Sequence, residues 1–166
     1  MKKYIITDIG RDMDRGVEER IWLGIKTIGT DVKLNVYCQD EQEYIDGDKA
    51  RKNGDIIEGD LYIQCAEFIE KTELELMHKW TRLEYSRVNP YMEIVVKITK
   101  IIHDYKICGL TDITDDEILI DFYDKFIDST THKRYFEEGD TVLLKAILCL
   151  DLVGHVENLK KMYGLD

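Results

Sequence analysis

The amino-acid sequence predicts a mainly β, antiparallel protein that ends in a short helix. Three observations carry this. The segments of clearest periodicity alternate apolar and polar residues every two positions, as a strand with one buried face does. Turn-forming residues separate these segments. The 166 residues hold a single proline, Pro90, and no Gly/Ser-rich or low-complexity tract that would mark a linker.

The elements follow in order. Ile21 to Ile28 and Val32 to Cys38 read as a hairpin around Gly29-Thr30-Asp31. Asp40 to Lys52 is a polar loop with a turn at Asp46-Gly47-Asp48. The strand pattern resumes at Ile56-Ile57 and again from Leu61 to Ile69. Thr72 to Tyr85 carries two signals. Thr72 and Glu75 fit a capping box, and Leu76, Trp80 and Leu83 fall at helical spacing. Leu74 and Leu76 would also suit a strand, and the segment is read as a short helix or irregular connector. From Met92 to Ile107 the chain is one long β-rich run, alternating at Ile94, Val96 and Ile98. Asp112 to Glu117 is a turn, and Glu117 to Phe122 and Thr141 to Val153 are strands. Gly154 ends the last of these. His155 to Tyr163 is an amphipathic helix with Val156, Leu159 and Met162 on one face.

A short internal echo is present. Glu58-Gly59-Asp60 and Glu138-Gly139-Asp140 each lead into a β-rich run, and each follows a long β-rich run well upstream. Gly takes a positive φ without steric cost, and Asp bonds back to the backbone, so the triplet suits a turn before a strand. Short strands with such a turn before a late strand resemble the small five-stranded barrels of the OB type. The expectation is two small OB-like barrels or one duplicated barrel, with residues 1–85 and 86–166 as β-rich halves. A superfold shared by many functions transfers none of them.

The charge narrows the functional classes. The net charge is −11. Residues 1–85 hold 13 basic and 19 acidic side chains, and residues 86–166 hold 10 and 15, so the acidity is shared. Nucleic acid is bound through clustered Lys and Arg, and an evenly acidic surface repels phosphate. A basic protein is the expected partner. Cys38, Cys65, Cys108 and Cys149 form no C-x-x-C pair and read as reduced thiols. The N-terminal apolar stretch, Tyr4 to Ile6, is too short for a signal-peptide core, and no run reaches the length of a membrane span. A cytoplasmic location is expected.

No catalytic motif emerges. His78, His103, His132 and His155 lack metal-ligand spacing. The run from Asp112 lacks the Gly and the bidentate Glu of a calcium loop. There is no nucleophile elbow and no phosphate loop. Neither metal nor cofactor is expected. The function expected is a non-enzymatic protein-binding module, in its most specific version an immunity-type inhibitor of a basic bacterial toxin. Its binding acids would be Asp112, Asp115, Asp116 and Glu117 in one loop and Asp46 and Asp48 in another, because loops collect binding residues. The rival reading is an OB-type module for single-stranded nucleic acid or oligosaccharide. It would stack its ligand on Tyr123, Tyr135 and Phe136, beside Lys125-Phe126 and Lys133-Arg134.

Overall fold

A computed structural model describes residues 1–14, 17–38, 51–81 and 89–165. Among the described residues nine strands and one helix follow one another: β1 (Lys2–Asp14), β2 (Val17–Thr27), β3 (Lys33–Tyr37), β4 (Ile56–Lys71), β5 (His78–Trp80), β6 (Tyr91–His103), β7 (Lys106–Leu110), β8 (Ile118–Phe122), β9 (Thr141–Asp151) and α1 (His155–Met162). All nine strands are hydrogen-bonded into one sheet order. The mainly β class and the short C-terminal helix are as the periodicity predicts.

The chain divides into two compact units, and they interleave along the sequence. Unit 1 comprises residues 1–61, 82–90 and 148–166; unit 2 comprises 62–81 and 91–147. The two long strands β4 and β9 are each divided between them. In unit 1, β1 pairs antiparallel with β2 and with the start of β4, β2 pairs with β3, and Tyr37 of β3 lies parallel to Cys149 of β9. In unit 2, β6 pairs antiparallel with β7, with β9 and with the short β5. There β7 pairs with β8, and β8 runs parallel to the end of β4 through Ile63 opposite Ile120 and Ala66 opposite Phe122. Each unit therefore contains a parallel pair among its described residues, where the sequence pattern predicts antiparallel pairing alone. Period-two alternation reports which face is buried and is blind to strand direction.

Each unit has its own core. In unit 1, Tyr4, Ile6, Trp22, Leu23, Ile25, Leu34 and Val36 are buried. In unit 2 the buried faces are Met92, Ile94, Val96 and Ile98 of β6 and Val142, Leu144 and Ala146 of β9, with Ile107, Ile118 and Ile120. The alternation of these positions is what places one face of each strand inward.

The structure adds one strand to the sequence reading and corrects two of its segments. Residues 2–14 form a strand, whose buried Tyr4 and Ile6 belong to the core. The segment expected as helix or connector contributes a strand at His78–Trp80, paired with Met92 to Ile94; an antiparallel neighbour overrides a weak helical spacing. The long run after Met92 is two strands joined at Asp104-Tyr105.

The internal echo also shifts. Gly59 lies buried within β4, where an added Cβ would come within 2.6 Å of the Asp151 carbonyl oxygen. The counterpart of Gly139 is instead Gly54. Both have φ +89. Gly54 N–H donates to Ile6 O at 2.8 Å, and Gly139 N–H donates to Ile98 O at 2.8 Å. Ile6 N–H and Ile98 N–H return bonds of 2.9 Å to Asp55 O and Asp140 O. The Asp carboxylates accept from Lys52 N–H at 2.9 Å and Glu137 N–H at 2.8 Å, closing the same four-residue turn twice. In both long first strands the pairing register slips just after this isoleucine, between Ile6 and Asp8 and between Ile98 and Lys100. One local design thus occurs once in each unit.

Candidate aromatic and acidic pocket

The most chemically distinctive feature lies in unit 2, and it is assembled from the end of β4, the end of β8 and the segment that follows. A bulge in β4 starts it. Two residues, Gln64 and Cys65, intervene on β4 where β8 has one, and Cys65 has φ +52. A bulge re-aims the side chains beyond it. Ala66 is buried, and Phe68 follows two positions on, on the same face.

The segment after β8 folds back on itself. Ile127 and Arg134 form an isolated antiparallel bridge. Asp128 N–H donates to Lys133 O at 2.8 Å, and Tyr135 N–H donates to Phe126 O at 3.0 Å. At the tip, the Asp128 carboxylate accepts from Thr130 N–H and Thr131 N–H, both at 2.8 Å. Those two backbone bonds hold its pKa below the ordinary carboxylate value. His132 takes φ +58 to complete the turn. The segment is anchored at its base: Tyr123 N–H donates to Ala66 O at 3.1 Å, and Phe126 N–H donates to Asp104 O at 3.2 Å.

This framework gathers five aromatic rings. Phe126 and Phe136 are fully buried and stack at 4.5 Å between centroids. Phe122 meets Phe126 edge-on at 4.9 Å. Phe68 lies 5.5 Å from Phe136 and stacks on Tyr135 at 5.3 Å, with the two planes only 8° apart. Above the buried rings a cavity of about 310 Å³ opens, lined by Ala66, Glu67, Phe68, Phe122, Asp124, Lys125, Phe126 and Tyr135. Tyr135 is 41% exposed, so it forms the outer wall. Glu67 and Asp124 are exposed, and among the described residues neither carboxylate has a hydrogen bond or ion pair. The Lys125 ammonium is committed elsewhere, 5.5 Å over the ring of Tyr105. Arg134 is likewise engaged, its Nη2 lying 3.4 Å from Asp104 Oδ1.

The acids read from the sequence fall as follows. Asp112, Asp115, Asp116 and Glu117 sit on the turn between β7 and β8. The His78 imidazole hydrogen-bonds the Asp112 carboxylate through Nδ1 at 2.7 Å. Asp115, Asp116 and Glu117 are exposed. Asp46 and Asp48 lie outside the described residues. Of the stacking residues, Tyr123 is 72% exposed and Tyr135 partly so, whereas Phe136 is 0% exposed and has no face for a ligand. Sequence reasoning named Phe126 and Tyr135 but missed Phe68, Phe122 and Glu67 as their neighbours. The signal for Phe68 was its alternation with Ala66, which puts both on one face.

Three of the cysteines, Cys38, Cys108 and Cys149, are buried; Cys65 is exposed, and none of the four is in a disulfide. Among the described residues no group of three or more His, Cys, Asp or Glu could hold a metal ion. No helix among them is long and apolar enough to cross a membrane. Comparison with known proteins finds no matching family model, no matching curated protein and no matching solved structure.

Proposed function

We propose that this chain is a non-enzymatic protein-binding module that engages a basic partner through unit 2. The observation that carries the reading is the pocket of aromatic walls with the uncommitted carboxylates of Glu67 and Asp124 at its lining. Preformed concave sites with a few polar groups are where ligands and partner side chains seat. The net charge of −11 adds long-range attraction for a basic protein and repulsion of acidic ones. In its specific version the module is an immunity-type inhibitor that masks the basic active site of a toxin. The exposed acids Asp115, Asp116 and Glu117 would then steer the approach.

The same proposal reads each unit as an OB-like barrel. The support is the repeated circuit of five strands: β4, β1, β2, β3 and β9 in unit 1, and β9, β6, β7, β8 and β4 in unit 2, each with one parallel pair.

The test is affinity capture from native lysate, with nuclease treatment, at low and then high salt. The immobilised proteins are the wild type and Tyr135→Ala. The expected result is one stoichiometric basic protein, held at low salt by the wild type and released by salt, with Tyr135→Ala holding much less. Co-purifying nucleic acid that Tyr123→Ala and Tyr135→Ala lose would instead favour the rival OB-type reading, which the exposure of those two rings supports.

A further inference from the structure

We infer that the unit 2 pocket is a receptor for a single arginine side chain of the partner. The inference rests on the protein-binding reading of this same pocket and adds the chemistry of its anchor. Size comes first. A cavity of about 310 Å³ stands at the lower bound of ligand sites, roughly 300–1,000 Å³, and suits one long side chain better than a cofactor.

The walls come next. Phe122, Phe126, Phe68 and Tyr135 all line the cavity, and the last two are stacked on each other with planes 8° apart, so a ligand meets their outer faces and edges. The faces of such rings carry negative charge density and attract a cation, and a planar guanidinium also stacks on them. The polar groups decide between a cation and a neutral ring. Glu67 and Asp124 are carboxylates without partners among the described residues, and they accept but do not donate. A guanidinium offers five N–H donors in a planar fork that matches a carboxylate bidentately, whereas an ammonium is a point charge that gains less from a flat wall. The one cation at the lining, Lys125, places its ammonium over Tyr105. An anionic or phosphate-bearing ligand would meet two carboxylates here, which argues against a nucleotide.

The test uses the full chain and small probes. Nuclear magnetic resonance spectra are recorded during titration with n-butylguanidinium, n-butylammonium and the neutral isostere n-butylurea. The expected result is a saturable shift of Phe68, Tyr135, Glu67 and Asp124 resonances with butylguanidinium. Butylurea should need about tenfold more for the same effect, since charge-assisted bonds are roughly twice as strong as neutral ones. Butylammonium should fall between. The double variant Glu67→Gln/Asp124→Asn, at two exposed positions, should abolish that preference while the spectrum of the fold is retained. Equal binding of butylurea, shifts confined to other residues, or no shift at all would overturn the inference. The two readings fail separately. Capture of a basic protein that Tyr135→Ala releases, with butylguanidinium inert, removes the arginine anchor and leaves protein binding. Selective butylguanidinium binding with no protein captured keeps the pocket chemistry and removes the partner.

Discussion

Gly54 and Gly139 hold equivalent positions in the two units: same φ of +89, and the same 2.8 Å hydrogen bond from the glycine N–H to an isoleucine carbonyl of a long first strand. An added Cβ at either would meet no atom within 4 Å, so the strain on substitution is conformational alone. Gly54→Ala and Gly139→Ala should each cost about 1 kcal/mol or somewhat more, and by similar amounts. Gly59→Ala should cost more, about 2–3 kcal/mol, because its Cβ would press on the Asp151 backbone oxygen. Urea denaturation of the three variants checks this. A Gly59→Ala variant as stable as Gly54→Ala would contradict the assignment.

The turn at Gly139 also makes a pH prediction. Asp140 has its pKa lowered, first by the Glu137 N–H bond and further by Lys71, whose Nζ lies 3.2 Å away. A carboxylate depressed in the folded state adds stability that is fully present above its unfolded pKa. That stability is lost as pH falls through the folded value. Denaturation midpoints of wild type and Asp140→Asn should therefore differ near neutrality and converge below the ordinary carboxylate range. A gap that widens on acidification would refute this.

The aromatic group should separate stability from binding. Phe136 is wholly buried against Phe126 and Phe122, so Phe136→Ala should cost about 3–5 kcal/mol. Tyr135 stacks on Phe68 with 41% of its surface exposed. Tyr135→Ala should cost about 1 kcal/mol and leave the fold intact. Thermal unfolding of the pair tests the contrast; equal losses would mean Tyr135 is a core residue rather than a pocket wall.

The C-terminal helix depends on a buried acid. Asp151 is 4% exposed, and its carboxylate accepts from Val153 N–H at 3.1 Å and Val156 N–H at 2.8 Å. A helix of eight residues is marginal by itself, and Gly154 at its N-cap offers no side chain. Asp151→Ala should cost about 1–2 kcal/mol. It should also speed amide exchange over His155–Met162 while β6 stays protected. Unchanged exchange in α1 would show that packing of Val156 alone holds the helix.

Much of the fold was legible because period-two alternation is a direct record of burial. Leu34 and Val36, or Val142 and Leu144, announce their strands. What stayed hidden was pairing. Nothing in β4 says that its end lies parallel to β8, or that Gly54 rather than Gly59 matches Gly139, because a partner's identity is not written in a strand's own period. The site was legible in part. Phe126 and Tyr135 stand close in the sequence and were read together. Phe68 arrives from a strand more than fifty residues earlier, beyond the bulge at Cys65, and shares its face with the buried Ala66.

The proposed role of the unit 2 pocket is to receive a basic protein. The most direct test compares capture by the wild type and by Glu67→Gln/Asp124→Asn at the same low salt. One basic protein should be retained by the wild type and largely lost by the variant. Retention of the same protein in equal amount by both would contradict it.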